Sequence, residues 1–392
     1  VKNFVLEVHS FYDDWSNGHY GVPVLSTTAF TGSSSTDIYG GFMDSELTVS
    51  KKLAGKELDW ISFIGNHLRI RDRFLRTVYE GRIEEVAIGR YSVNISASGY
   101  FKEGMDKEVN LVYPSAVPVS VSQVIHAAVD LMSAALPTFE ENALYRKWSP
   151  SREGLITTTN NIAPREYIDG TKVNEMIEDT LKFGSDGAYP VPLYFGLYDQ
   201  RKAYLIQEPS LTQKPSWIFH QRYLSIDSGD PAIRVSARNL KNRTRVYYNN
   251  PNIDVSVQGA QFTNALEDAA SKGIFGTREG NLNIGEAVQG VADVVNQLIV
   301  RTKSFPEISI PLSYTGPILS GSRAIEQPYM VRSGDIVVVE DYSLPISGLV
   351  RSQFGPGDPL KFWIRRTTYD YASNRLDMEI GSDTSTIDII LA

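Results

Sequence analysis

The chain has 392 residues, 42 % of them hydrophobic, carries a formal net charge of −8 and contains no cysteine. That length and apolar content suit two or three domains with proper cores, and the missing thiols exclude disulfides and thiolate chemistry. The acidic balance argues against tight binding to a DNA backbone, which depends on Lys and Arg releasing counterions, and no apolar run approaches the roughly 18 residues that span a bilayer.

Phe4–His9 reads as a first strand; the opening VKNFVLEVHSF, cut by Glu7 and His9, lacks the pattern of a signal peptide. Residues 12–41 are rich in Gly, Ser, Thr and Asp (YDDWSNGHYG, TGSSSTDIYGG) and predict a long ordered loop or hairpin. Glu46–Ser50 predicts a strand, and Leu58–Ile64 leads into HLRIRD (His67–Asp72), VYEGRIEEV (Val78–Val86) and YSVNISASG (Tyr91–Gly99). Val93, Ile95 and Ala97 alternate as a half-buried sheet demands. Residues 1–116 are therefore expected to form an all-β, barrel-like module.

Helical spacing then appears near 121–136, where Val121, Val124, Ile125, Ala128, Val129, Met132 and Leu136 share a face before Pro137. A second helix is expected near 172–183, capped by Thr171 and ended at Gly184. The hairpin VPLYFGLYD (Val191–Asp199), QRK, AYLIQE (Ala203–Glu208) follows, with strands expected at Ala232–Ala237, Thr244–Tyr248 and Ile253–Gln258. Asn264–Lys272 predicts a short helix ending at Gly273, and 285–302 a longer one striped by Val288, Val291, Val295, Leu298 and Ile299. Residues 117–304 thus read as an α+β middle region.

The C-terminal end, residues 305–392, repeats the first module's plan. DIVVVED (Asp335–Asp341), KFWIRRTTYD (Lys361–Asp370), a turn YASN and RLDMEIG (Arg375–Gly381) match the earlier strand, strand, tight turn, strand. Leu376, Met378 and Ile380 alternate as before, and Gly89 and Asn374 supply turns that tolerate positive φ. The fold expected is α+β and β-rich, with two β-barrel-like modules flanking an α+β middle.

No catalytic constellation emerges, and the chain reads as a non-enzyme without cofactor or metal. His9, His19, His67, His126 and His220 are scattered without metal-ligand spacing. No nucleophile elbow, Walker A or dinucleotide fingerprint occurs. Glu84 and Glu85 adjoin, but neighbours in a strand face opposite ways and so make no carboxylate pair. Asp13-Asp14 and Glu140-Glu141 read as solvated charge, and the basic run RNLKNRTR (Arg238–Arg245) as a solvated turn.

Several segments together resemble tail-tip and baseplate-hub proteins of tailed bacteriophages. They are SKGIFGTRE (Ser271–Glu279), the helix Ala287–Leu298 closed before Pro306, and PYMVRSGDI (Pro328–Ile336). The F-x-I-x-x-x-x-Y-D stretch (Phe362–Asp370), Arg375–Gly381 and, more loosely, YEGRI (Tyr79–Ile83) complete the pattern. Phe275 stands where Tyr is usual, and Ser333 where Pro is expected. The resemblance implies a virion protein, assembled in the host cytoplasm, whose two tube modules occupy equivalent ring positions, so that a homotrimer presents six. It implies contacts with the tail-tube ring, distal-tail and tip or fibre proteins, and transient passage of genomic DNA. A hexameric distal-tail adaptor and a carbohydrate-binding receptor module, with Trp15, Trp148, Trp217 and Trp363 as platforms, are the alternatives.

The two copies differ in their first connection: Arg73–Thr77 is short, whereas Tyr342–Leu360 is long and carries Leu344, Leu349 and Phe354. A loop of that length is uncommon unless it binds something. Phe74, Leu344, Leu349 and Phe354 are the expected contacts to a neighbouring subunit or tube ring.

Overall fold

The computed structural model describes residues 4–10, 21–53, 55–113, 119–133, 161–162, 165–168, 170–185, 191–199, 202–208, 213–226, 234–250, 261–340 and 360–380. Its principal strands are β1 (Phe4–His9), β2 (Phe30–Asp37), β3 (Gly40–Ser50), β4 (His67–Asp72), β5 (Thr77–Ile88) and β6 (Ser92–Ser98). The middle supplies α1 (Val121–Ser133), α2 (Val173–Leu181), β7 (Leu193–Tyr198), β8 (Lys202–Gln207), β9 (Trp217–His220) and β10 (Arg243–Asn249). After these come α3 (Ala269–Phe275), β11 (Glu279–Glu286), α4 (Gln289–Lys303), β12 (Glu307–Tyr314), β13 (Ile336–Glu340), β14 (Leu360–Asp370) and β15 (Arg375–Ile380).

Both expected meanders are present. β4, β5 and β6 pair antiparallel in sequence order, as do β13, β14 and β15. Each middle strand is long because its two halves serve different neighbours. Thr77–Arg82 pairs with β4 and Arg82–Ile88 with β6; Leu360–Trp363 pairs with β13 and Ile364–Asp370 with β15. β6 continues to β3 and β15 to β12.

The two meanders belong to one sheet. β2 pairs with β3 on one edge and with β14 on the other, Asp37 opposite Arg366 and Ser33 opposite Asp370. The described residues thus join 18 strands into one mixed sheet, and no closed barrel is resolved within it. β2 lies in the Gly/Ser/Thr-rich stretch expected as a loop or hairpin, and it is the first arm of a hairpin with β3. It holds a central strand position because its hydroxyls bond across the seam: Thr36 Oγ1 lies 2.7 Å from Thr367 Oγ1, and Ser34 Oγ lies 2.6 Å from the Tyr371 hydroxyl.

Two apolar cores result. One gathers β1–β6 with β12–β15, including Leu6, Val8, Ile70, Ile95, Tyr314, Ile364 and Leu376. The other gathers the middle region, including Val124, Ile125, Met176, Ile177, Val246, Val295 and Ile299. β7 is the wall between them. Tyr194 and Tyr198 point into the first core; Leu193, Phe195 and Leu197 point into the second. A strand buried on both faces needs no polar alternation, which explains the all-apolar LYFGLY. β7 runs parallel to β3 at Gly40 and Gly41. Gly41 has φ +85°, and a Cβ there would fall 2.2 Å from the Leu197 carbonyl oxygen, so only glycine permits this approach.

The helices follow the expected faces, with shifted ends. α2 is capped by the Glu175 carboxylate accepting the Lys172 backbone N–H at 2.8 Å, while the Thr171 hydroxyl donates to the Ile168 carbonyl instead. α3 begins after Asp268, which accepts the Ser271 N–H, and ends at Gly276 with φ +71°, so Gly273 lies inside the helix. Gly285 and Glu286, expected to open the long helix, finish β11, and α4 starts at Gln289. A strand fits there because Leu282 and Ile284 alternate inward against α4 while Asn281 and Asn283 stay out. The strand expected at Ile253–Gln258 and the end of the first helix, residues 134–136, lie outside the described residues.

Candidate assembly interface

The RSGD turn, Arg332–Asp335, is the joint where the first, middle and last regions meet. Arg332 is held by a bidentate pair with Asp199, at 2.7 and 2.8 Å, and donates also to the Thr77 carbonyl at 2.8 Å. Its guanidinium lies 5.0 Å from the Phe42 ring centre and 5.7 Å from that of Tyr198. Burial works against this charge, and Asp199 overcomes it, so the guanidinium is held protonated more firmly than usual. Ser333 donates its N–H to Thr36 Oγ1 at 3.0 Å, and its hydroxyl lies 2.8 Å from that of Tyr198. A proline at 333 would have no N–H to give to Thr36. Gly334 takes φ +73°, and Asp335 accepts the Arg332 N–H at 2.7 Å and the Trp217 indole N–H at 2.9 Å.

The β4–β5 turn is a second built feature. Asp72 is fully buried and accepts the N–H groups of Phe74 (2.8 Å) and Arg76 (2.9 Å), the Arg76 guanidinium (2.7 Å) and the Tyr329 hydroxyl (3.2 Å). This fixes the backbone and thrusts the tip outward. Phe74 and Leu75 are 60 % and 63 % exposed, with Arg73 and Arg76 stacked 4.7 and 5.2 Å from the Phe74 ring centre. Arg76 also reaches Glu326 at 3.0 Å, which ties the turn to the strand Ile325–Glu326. Of the four expected contact residues, Phe74 therefore stands at the surface, and Leu344, Leu349 and Phe354 lie outside the described residues. The sequence alone did not single out Leu75; the Arg-Phe-Leu-Arg composition of so short a turn was the available signal.

A third feature is an open groove of about 530 Å³ on β3, β5 and β6, lined by Asp44, Glu46, Glu84, Glu85 and Asp106 against Arg82 and Lys102. It corrects the reading of Glu84 and Glu85. The register steps from Ile83–Ala97 to Glu85–Ser96, so Glu84 is a bulge residue and both carboxylates line the same groove. Arg82 pairs with Glu84 at 2.9 Å and Asp106 at 2.7 Å, and Lys102 with Asp44 at 2.9 Å. Glu46 accepts the Ser96 hydroxyl, and Glu85 makes no ion pair among the described residues.

No family model matches the chain, and no curated protein matches it. Solved structures do. A tail protein of Neisseria meningitidis is 12 % identical, covers 98 % of this chain and 98 % of its own, and gives a TM-score of 0.55. The 43 kDa tail protein of a Shewanella oneidensis prophage is 12 % identical over 96 % of this chain and 97 % of its own, at 0.54. A prophage tail protein of Listeria monocytogenes is 11 % identical over 99 % and 97 %, at 0.53. The chain has the fold of a phage tail protein.

Within this tail-protein fold the remaining sequence candidates find structural uses. His9 and His67 stand opposite each other in the β1–β4 register and are buried. His9 Nε2 lies 3.4 Å from Glu7, and His67 Nδ1 lies 3.1 Å from the Tyr100 hydroxyl. Burial opposes the Glu7 charge, but hydrogen bonds from His9 and Arg71 outweigh it and hold the carboxyl below its usual range. Among the described residues no cluster of His, Asp and Glu could hold a metal ion, and no helix is long and apolar enough to cross a membrane. Trp363 is buried, and Trp217 is half-buried with its indole tied to Asp335, so neither is a sugar platform; Trp15 and Trp148 lie outside the described residues. In the basic run, the deciding residue is the buried Asn242. Its amide donates to Gly276 O at 2.8 Å and its oxygen accepts the Arg278 N–H at 2.7 Å, which fixes the SKGIFGTRE turn.

Proposed function

We propose that the chain is a structural subunit of a bacteriophage tail tip, a hub ring that joins the tail tube to the distal tip and forms part of the DNA conduit. The observation that carries this reading is the pair of like meanders set in one continuous sheet, in a fold shared end to end with tail proteins. Residues 1–116 and 305–392 would each supply a barrel-like tube module and residues 117–304 the α+β middle. Three copies then offer six modules to a six-fold tube, and a rotation that closes makes a ring of head-to-tail contacts. Tail-tube, distal-tail and tip or fibre proteins are its neighbours in the virion, reached after assembly in the host cytoplasm. The net charge of −8 suits a conduit, since like charge keeps the DNA backbone from sticking.

Electron microscopy of the purified assembly tests the proposal. A three-fold ring with six similar lobes around the lumen is expected. A six-fold ring of single lobes would instead make the chain a distal-tail adaptor, and a monomer that docks on no tube would overturn the hub reading.

A further inference from the structure

The β4–β5 tip and the acidic groove are opposite in charge, and the geometry points to a contact in which the tip of one copy enters the groove of the next. The contact deepens the ring reading and rests on it in requiring more than one copy.

Four observations support it. The tip is strained as well as exposed: Leu75 holds φ +65°, a conformation disfavoured for a leucine and kept only where the surroundings impose it. Here Asp72 imposes it, so the tip is preorganised and loses little freedom on binding. Its chemistry, an aromatic ring between two guanidinium groups with exposed Leu75 next in the turn, is what interface anchors are made of. Apolar groups this exposed and this close together on a surface mark a contact.

The groove supplies the opposite pole. Five carboxylates face two cations, and after the internal pairs are drawn Glu85 and Glu46 have no cation of their own among the described residues. On the tip Arg73 is likewise without an ion pair among the described residues. Half-exposed Met105 lines the same groove and offers the Phe74 ring a soft apolar contact. The groove volume, about 530 Å³, admits one aromatic side chain with its flanks.

A chain cannot make this contact with itself. Thr77 and Glu84 are seven residues apart on one strand, a separation of roughly 20 Å at about 3.3 Å per residue, and the strand holds tip and groove apart. Unlike surfaces on one subunit give a heterologous contact, the kind that generates closed rings.

Charge reversal tests it by sedimentation equilibrium and native mass spectrometry of the full chain. Arg73→Glu and Glu85→Lys each alter an exposed residue, so the denaturation midpoint should hold. Each should raise the dissociation constant of the ring at least tenfold, and the chain carrying both should recover most of that loss. Phe74→Ser should weaken the ring by a similar factor without changing its charge. Single variants that assemble like the unaltered chain, or a double variant no better than the singles, would overturn this contact while leaving the hub reading intact. An unaltered chain that stays monomeric at every concentration would overturn both.

Discussion

The two meanders share strand order, antiparallel pairing and a bulge in the middle strand, but they meet opposite surroundings. In the first, the bulge at Glu84 turns two carboxylates toward an open groove. In the second, the register steps between Ile364 and Arg366, and the carbonyl of the bulged Arg365 accepts the Ile38 N–H at 2.9 Å. There the bulge serves the seam to β2. The same backbone irregularity aims side chains outward where the far edge is open and joins two regions where another strand covers it. The opening strands differ too: β4 pairs antiparallel with β1, whereas β13 pairs parallel with β9. The first meander leaves an open groove at its bulge; the second is fastened into the middle region.

The comparison breaks most sharply at the wall both meanders lean on. Gly41→Ala forces a Cβ against the Leu197 carbonyl at positive φ and should cost on the order of 4 kcal/mol. Urea denaturation measures it, and a loss below 1 kcal/mol would mean that β3 and β7 separate without consequence. Next comes the fastening of the second meander. Arg332→Ala strips Asp199 of its bidentate partner and leaves the Thr77 carbonyl without that donor. Because Asp199 is partly exposed, the loss should fall at the lower end for a buried pair, about 3 kcal/mol. Hydrogen exchange should rise in β13 and at the Thr77 end of β5 before it rises in β6; uniform exchange would deny that the joint acts locally.

A smaller effect is expected at the seam. Thr36→Val removes the bond to Thr367 and the acceptor for the Ser333 N–H, about 1.5 kcal/mol, read from the same denaturation curves. The smallest concerns pH and the first region alone. Glu7 is held below its ordinary value of 4.5 in the folded chain, so the unfolded chain takes up its proton first as pH falls. Its contribution is complete above about 4.5 and is lost as pH drops through the lower folded value. Glu7→Gln should therefore flatten the fall in the denaturation midpoint between pH 5 and pH 3, and equal slopes in the two proteins would contradict the assignment.

Local pattern made much of this fold legible. The alternation Leu376, Met378, Ile380 predicted β15, the stripe Val291, Val295, Leu298, Ile299 predicted α4, and the tight turns located both meanders. Each is a period of two or 3.6 set by the backbone, and it is written wherever one face is buried. The candidate surface was legible only at Phe74, as an aromatic residue in a turn too short to hide it.

What depends on partners distant in sequence was decided by the tertiary structure. TGSSSTD is polar enough to be a loop, and it becomes a central strand only because Thr367 and Tyr371, more than 300 residues away, satisfy its hydroxyls. Glu84 and Glu85 reach one groove because a bulge cancels the alternation that would have parted them, and nothing in EE signals a bulge. Trp217 and Trp363 look like platforms until Asp335 takes one indole and the core takes the other. By itself the sequence determined the elements and their faces, since each residue's own geometry fixes those. The seam, the wall and the exposed tip required the folded chain, because hydrogen-bond satisfaction and exposure are properties of what surrounds a residue.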